Sequence, residues 1–337
     1  MAHTVRRDFK LDDVARVAGV SRSTASRVLT GAGSTSARAR AAVQSAAERL
    51  GYQANPVARA LAVGGVVPPG QREGRIVVAV VGAGREVLHD PYVATAVCAV
   101  AEVAEDFSAG VGLEWIALGG SHALRRLADD PAVRGVIVVN TVEALLADLP
   151  RPLLGRIVSI GVGTPDVPHF DVDNGGAAEA TVTHLMLRGR REIAMLTGPG
   201  WLPCVRRQTQ RYLALMEAAG WQARTVPGDF TFAGGATAMT EALHRWPGTD
   251  AVFATCDSAA FGAVSVLAQR GIRVPHDIAV AGFDDVPFAA QSSPRLTTAT
   301  HPVRRIASTA ALALLEPTTA EQLPHFFGSQ LVLRDSA

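Results

Sequence analysis

The chain has 337 residues, too many for one ordinary domain and enough for two or three. Hydrophobic residues make up 48% of it, so sizeable cores can form. No apolar run approaches the roughly 18 residues that span a bilayer, and Met1 to Lys10 is polar and charged, unlike an export leader. Membrane and exported classes are therefore excluded, and the cytoplasm is the expected location. The formal net charge of +1 conceals an asymmetry: residues 1–62 carry ten Arg/Lys against four acids, a local +6, and the remainder carries −5. A small basic module on a mildly acidic body suits a polyanion binder attached to something else. The cysteines Cys98, Cys204 and Cys256 stand at neither metal-ligand nor CxxC spacing and read as packing residues in a reducing compartment.

Three short helices are predicted between Leu11 and Leu50. In the first, Leu11, Val14, Ala15 and Ala18 follow i, i+3, i+4, i+7 spacing, which places them on one face. Asp12 and Asp13 sit in its first turn, where the helix dipole favours acids, and Gly19 suits the left-handed position that ends a helix. Ser21 is a good N-cap for a second helix, Arg22 to Leu29, and Ser36 for a third, Ala37 to Leu50. Helix, tight glycine turn, helix is the helix-turn-helix pattern. Arg22, Ser23, Thr24, Ser26 and Arg27 collect on the second helix, whose N-terminal end would enter a major groove. Arginine pairs bidentately with guanine, and hydroxyls bond bases or phosphates. The plainer reading of the same pattern is a three-helix domain with a solvated polar face.

The run Leu11-Asp-Asp-Val-Ala-Arg-Val-Ala-Gly-Val-Ser-Arg-Ser-Thr-Ala-Ser-Arg-Val-Leu-Thr-Gly31 resembles the headpiece of the lactose-repressor (LacI/GalR) family, whose usual form is DVA-x-x-AGVS-x-x-TVSRVLNG. Ala25 replaces the usual valine and Thr30 the usual asparagine. The similarity continues through Arg40, Val43, Leu50, Gly51 and Tyr52. By this resemblance Arg22 and Ser23 are the variable pair that reads bases and Arg27 is the more constant arginine. Ser21, Thr24, Ser26, Thr35 and Ser36 position the DNA backbone. Asn55-Pro-Val-Ala-Arg-Ala-Leu-Ala62 resembles the family hinge, in which a leucine pair wedges into the minor groove. Asn55, Ala58, Arg59 and Leu61 match its positions, and Pro56, tolerated at a first helical position, starts the helix in place of the usual preceding proline. Val63 to Gly74, rich in Gly and Pro, reads as a connector. The expected division is a headpiece over 8–53, hinge and linker over 54–74, and an effector-binding and dimerisation domain over 75–337.

From Arg75 onward, short apolar runs alternate with helical stretches. Strands are predicted at Ile76–Val81, Leu113–Leu118, Gly135–Val139, Ile157–Ile160, Glu192–Leu196, Ala251–Ala254 and Ile278–Ala281. Helices are predicted at Tyr92–Phe107, Gly175–Leu187, Arg206–Ala219, Ala233–Arg245 and Ser258–Arg270. Continuous apolar strands alternating with helices mean parallel sheets covered on both faces. The resemblance implies an α/β periplasmic-binding-protein-like core of two Rossmann-like lobes, with ligand in the cleft between them. Its landmarks appear in the right order: Phe170-Asp-Val-Asp-Asn174, Phe253-Ala-Thr-Cys-Asp-Ser-Ala-Ala-Phe-Gly262, Val274-Pro-His-Asp-Ile-Ala-Val-Ala-Gly-Phe-Asp-Asp285 and Pro294-Arg-Leu-Thr-Thr298.

Asp257 and Asp284 follow strands, where carboxylates accept bonds from sugar hydroxyls or else cap the next helix. Phe230 falls where the family often stacks an aromatic on a sugar ring; the rival is a core phenylalanine. Asp90 and Tyr92 occupy a loop where the first lobe usually lends ligand contacts, against plain loop and packing roles. The family's R-x-x-G-[FY] arginine position is Gln208 here, and its glycine is Arg211. Arg207, about 100° around the helix from Gln208, either reaches the cleft or lies on the surface. Cys256 stands where asparagine usually precedes the acid.

The resemblance implies a homodimeric repressor of carbohydrate uptake or catabolism genes. Its partners would be palindromic double-stranded operator DNA and a small-molecule effector, a sugar or sugar derivative, with no cofactor, metal or membrane. A free solute-binding protein and an enzyme are the alternatives. The DNA module speaks against the first. Against the second, the chain carries no GxSxG, no Walker A loop and no metal-spaced His/Cys/acid set.

Overall fold

The computed structural model describes residues 11–21, 24–25, 28, 35–50, 74–316, 323 and 325–337. The chain divides into two compact units, Met1–Arg72 and Glu73–Ala337.

In the first unit, α1 (Leu11–Ala18) and α2 (Ala37–Leu50) flank the helical residues Thr24, Ala25 and Val28. Val14, Ala15, Ala25, Val43, Ala46 and Ala47 form a small core, with Ala18, Val20 and Val28 packed on it. Small side chains let helices this short approach closely. Gly19 ends α1 at φ +66°, a conformation that penalises any residue with a Cβ. Both predicted caps form: Ser21 Oγ accepts from Thr24 N at 3.2 Å, and Ser36 Oγ accepts from Ala39 N at 3.2 Å. The remainder of the recognition helix and the whole expected hinge lie outside the described residues.

The second unit contains two parallel sheets. The first lobe holds β1 (Arg75–Gly82), β2 (Gly110–Ala117), β3 (Val133–Thr141), β4 (Ile157–Gly161), β5 (His169–Val172) and β11 (Phe326–Phe327), in the order β11-β5-β4-β3-β1-β2. The second holds β6 (Ile193–Thr197), β7 (Arg224–Pro227), β8 (Ala251–Ala254), β9 (Ala279–Asp284), β10 (Thr297–Thr300) and β12 (Leu331–Val332), in the order β12-β10-β9-β8-β6-β7, with β12 antiparallel to β10 and the others paired in parallel. The central strands are buried on both faces, which is why they read as unbroken apolar runs. Alternate residues of one strand serve opposite cores. Ala194 and Leu196 face a cluster with α8 (Phe232–Arg245) and α9 (Asp257–Gln269), whereas Ile193 and Met195 face one with α6 (Asn174–Leu187) and α7 (Pro203–Ala219).

In the first lobe, α3 (Pro91–Asp106), α4 (Ser121–Asp129), α5 (Glu143–Ala147) and α10 (Val303–Leu315) complete the layers. The chain passes between lobes after β5, after β10 and again between β11 and β12, so the lobes are joined by crossing segments. The crossing of α8 over α9 depends on two glycines. A Cβ on Gly235 would lie 2.2 Å from the Ala259 carbonyl oxygen, and one on Gly262 would lie 2.1 Å from that of Phe232. All the predicted strands and helices of this unit are present within a few residues of their expected ends. The short strands β5, β7, β10 and β11 and the helices α4, α5 and α10 have no counterpart among the predicted elements. β5 and β10 carry His, Asp and Thr, which lack an apolar-run signature, and their strand character comes from pairing with β4 and β9.

Candidate functional site

A cavity opens between the lobes at the carboxyl ends of the strands. In each sheet the strand order reverses there, between β1 and β3 in the first lobe and between β6 and β8 in the second. At such a switch point the following loops diverge and leave a crevice. The first lobe contributes Asp90, Tyr92, Asn140, Thr141, Ile160, Gly161, Val162 and Asp171; the second contributes Asn174, Leu202, Pro203, Cys204, Arg207, Gln208, Phe230, Thr255, Cys256, Phe283 and Asp284; His301 lies on the crossing segment.

The polar groups are held by the local fold. Asp90 caps α3, accepting from Tyr92 N at 2.9 Å, so it is both a structural cap and part of the cavity wall. Burial raises its carboxyl above the usual range, against the Tyr92 N–H, which favours the ionised form. Asp284, the last residue of β9, has φ +121° and Asn140, next to the last of β3, has φ +59°, both positive-φ conformations that side-chain-bearing residues seldom adopt. Asp284 Oδ1 lies 3.1 Å from His301 Nδ1. Burial, and then the charge of Asp90, push the Asp284 carboxyl well up. Burial pushes His301 down to about 4, so the imidazole is neutral near pH 7. Its ring lies 5.0 Å from that of Tyr92 and 5.2 Å from that of Phe283, giving the cavity an aromatic side. Phe230 lies against Gly198, where a Cβ would meet its ring at 2.2 Å; it packs on the second-lobe core and lines the cavity as well.

Two consecutive residues of α7, Arg207 and Gln208, both reach the cavity because the N-terminal end of that helix points into it. Arg207 pairs across the cleft with Asp171 of β5, and Gln208 is 2% exposed. Arg211 instead pairs with Glu179 of α6 at 3.3 Å. Two more contacts tie this part of the second lobe to the first: Arg206 to Glu143 at 3.3 Å, and Trp201 against the first-lobe core. The Thr255 hydroxyl is buried without a hydrogen-bond partner. The Cys204 thiol, pushed up to about 12 by burial, stays protonated and is no nucleophile.

Five of the six expected effector residues, Asp90, Tyr92, Arg207, Phe230 and Asp284, therefore share one cavity wall. Asp257 does not. It is fully buried, accepting from Thr298 Oγ1 at 2.6 Å and from Val286 N at 2.9 Å, and it is neither a cavity residue nor a helix cap. The cap of α9 is Cys256, whose Sγ accepts from Ala259 N at 3.4 Å. Of the other wall residues, Asn140 near the end of β3 and Thr255 just after β8 directly follow apolar runs, a position that marks the carboxyl edge. Asp171 and His301 carry no such mark.

Of the expected DNA-binding residues, Ser21, Thr24, Thr35 and Ser36 are described; Ser21 and Ser36 cap helices, and Ser21 Oγ lies 2.9 Å from Thr24 Oγ1. Arg22, Ser23, Ser26, Arg27, Asn55, Ala58, Arg59 and Leu61 lie outside the described residues. Among the described residues, no helix is long and apolar enough to cross a membrane, and no group of His, Cys, Asp or Glu is arranged to hold a metal ion.

Residues 10–55 match the family described as bacterial regulatory proteins, lacI family, and residues 182–337 match a periplasmic binding protein-like domain. The HTH-type transcriptional regulator GalR of Escherichia coli is 32% identical, covering 97% of this chain and 95% of that protein. The chain belongs to the lacI family. The HTH-type transcriptional regulator CelR of Thermobifida fusca is 30% identical, covering 94% of each chain. Among solved structures, a complex of the regulator CelR with cellobiose superposes with a TM-score of 0.66 at 28% identity, covering 98% of this chain and all of that one. A lacI-family regulator from Arthrobacter in complex with lactose gives 0.66 at 25% identity, covering 78% of this chain and 99% of that one. This member of the family is thus a helix-turn-helix transcriptional regulator with a two-lobe α/β core.

Proposed function

We propose that this regulator represses genes of carbohydrate uptake or catabolism, as a cytoplasmic homodimer on a palindromic operator, and that a sugar or sugar derivative in the interlobe cavity controls it. The observation that carries the effector reading is the composition of that wall. The carboxyl groups of Asp90 and Asp284 can exchange hydrogen bonds with sugar hydroxyls, and the faces of Tyr92 and Phe230 suit the apolar side of a sugar ring. The relatives solved with cellobiose and with lactose support the same ligand class. Arg22 and Ser23 read bases beside the more constant Arg27, Ser21, Thr24, Ser26, Thr35 and Ser36 position the DNA backbone, and Asn55, Ala58, Arg59 and Leu61 form a minor-groove hinge. The working division is 8–53, 54–74 and 75–337. The site binds without turnover: burial keeps the Cys204 thiol protonated and holds His301, at about 4, too weak a base near pH 7 to activate a nucleophile.

Ligand acts by favouring one arrangement of the lobes over another. The test is an unbiased selection of double-stranded DNA by the full-length protein, repeated with pools of sugars. A recovered palindrome whose binding one pool alters supports the reading, and Arg22→Ala then loosens base preference by about 1–3 kcal/mol. Recovery of no preferred sequence at moderate salt overturns it.

A further inference from the structure

The cavity wall has an unusual charge balance for a site with an arginine in it. Three acids, Asp90, Asp171 and Asp284, line it beside one guanidinium, Arg207, among the described lining residues. That guanidinium already has a counter-charge. Its Nη2 donates to Asp171 Oδ2, while Asp171 Oδ1 accepts from Val172 N at 2.8 Å and from Asn174 Nδ2 at 3.3 Å, so the carboxylate is anchored by its own strand and the crossing that follows. The Asp171 side chain is 7% exposed and that of Arg207 is 34% exposed, so the pair lies at the edge of the cavity, where solvent screens it only in part. The remaining basic group, His301, is neutral near pH 7 and bonded to Asp284. An anion entering here finds no cation without a counter-charge among the described lining residues, and its own charge would disfavour ionisation of Asp90 and Asp284 still further than burial already does.

We propose that Asp171 is the charge-selecting residue of this cavity: by holding Arg207 across the cleft it closes the site to anionic sugars, so the effector is an uncharged polyol. The inference rests on the effector reading given above and narrows it. Hydroxyl groups exchange hydrogen bonds with Asp90 and Asp284 without adding charge, and the orphaned Thr255 hydroxyl offers one more partner at the floor. A sugar acid or sugar phosphate competes with Asp171 for Arg207, and displacing it leaves a buried carboxylate with its Val172 and Asn174 hydrogen bonds but no counter-charge.

The test uses full-length protein with gluconate and inorganic phosphate as anionic probes and glucose and cellobiose as neutral ones, read by thermal shift and calorimetry. Wild type is compared with Asp171→Asn, Arg207→Gln and the double variant. Wild type is expected to show no anion response that Arg207→Gln removes. Asp171→Asn is expected to bind gluconate or phosphate roughly tenfold more tightly than wild type, as a unit charge removed a few ångströms away implies after solvent screening, and the double variant is expected to lose the gain. An anion response in wild type that Arg207→Gln abolishes overturns the proposal and leaves the cavity as the effector site. No gain in a folded Asp171→Asn overturns it too. If that variant does not fold, the comparison of wild type with Arg207→Gln decides alone. A neutral-sugar response that survives both Phe230→Ala and Asp284→Asn places binding elsewhere, and the effector reading falls with this one.

Discussion

Replacing Asp257 separates a structural carboxylate from a ligand-binding one. Its two oxygens accept from Thr298 Oγ1 at 2.6 Å and Val286 N at 2.9 Å, which pins α9 to β10 and to the segment after β9. Asp257 and Thr298 are both 0% exposed, so water cannot replace either bond. Truncation to alanine strands a hydroxyl and a backbone N–H at about 1–3 kcal/mol each, and together with the small void the loss is about 3–5 kcal/mol. For a lobe of this size that is roughly 10 °C in melting temperature. Asparagine behaves differently. Its carbonyl can accept from Val286 N while its NH2 donates to Thr298 Oγ1, since a hydroxyl serves as either partner. Burial, and then Asp284, hold the Asp257 carboxyl well above its usual range, so removing the charge costs little. Asp257→Asn is expected within about 1 kcal/mol of wild type. Urea and thermal unfolding of both variants measure this, alongside sugar titration. Asp257→Ala melting like wild type while losing its sugar response would refute the argument and return Asp257 to the ligand.

Gly235→Ala forces a Cβ to within 2.2 Å of the Ala259 carbonyl oxygen. The overpacking outweighs the gain in helix propensity and costs about 2–3 kcal/mol; an unchanged unfolding midpoint would contradict the close α8–α9 crossing. His301, held down at about 4 against an ordinary 6.5, refuses a proton that the unfolded chain accepts. Its contribution to stability is therefore complete above pH 6.5 and falls as pH drops towards 4, by about 3 kcal/mol in all. Asp90 and Asp284, both raised, have the opposite slope, losing stability as pH rises from 3.8 through their folded values. His301→Gln should thus lose less stability than wild type between pH 7 and 5, and equal slopes in denaturant titrations would count against a buried neutral imidazole. Ser21→Ala removes the cap on Thr24 N and should cost the headpiece about 1 kcal/mol and weaken operator binding; gel-shift titration with no change would show the cap to be dispensable.

The regular elements of both units were legible in the residues because each answers to a local rule. Leu11, Val14, Ala15 and Ala18 share a helix face whatever surrounds them, and runs such as Val77 to Val81 are buried on both sides of a sheet and need no alternation. Ser21 and Ser36 cap helices because a short hydroxyl side chain reaches the N–H groups three residues on. The same rules place Asp284 and Asp257 near strand ends, yet tertiary structure gives them opposite fates. Asp284 turns towards His301 at the cavity through a left-handed backbone, whereas Asp257, one residue into α9, is turned into the body of the lobe by Thr298, 41 residues away. The sequence alone determined the order of elements, the parallel sheets, the basic headpiece and the family. Which polar side chains share the cavity, that Arg207 is paired with Asp171, and that His301 stays neutral were decided only by the fold. These depend on contacts between segments far apart in the chain, and on a burial that no local pattern of residues specifies.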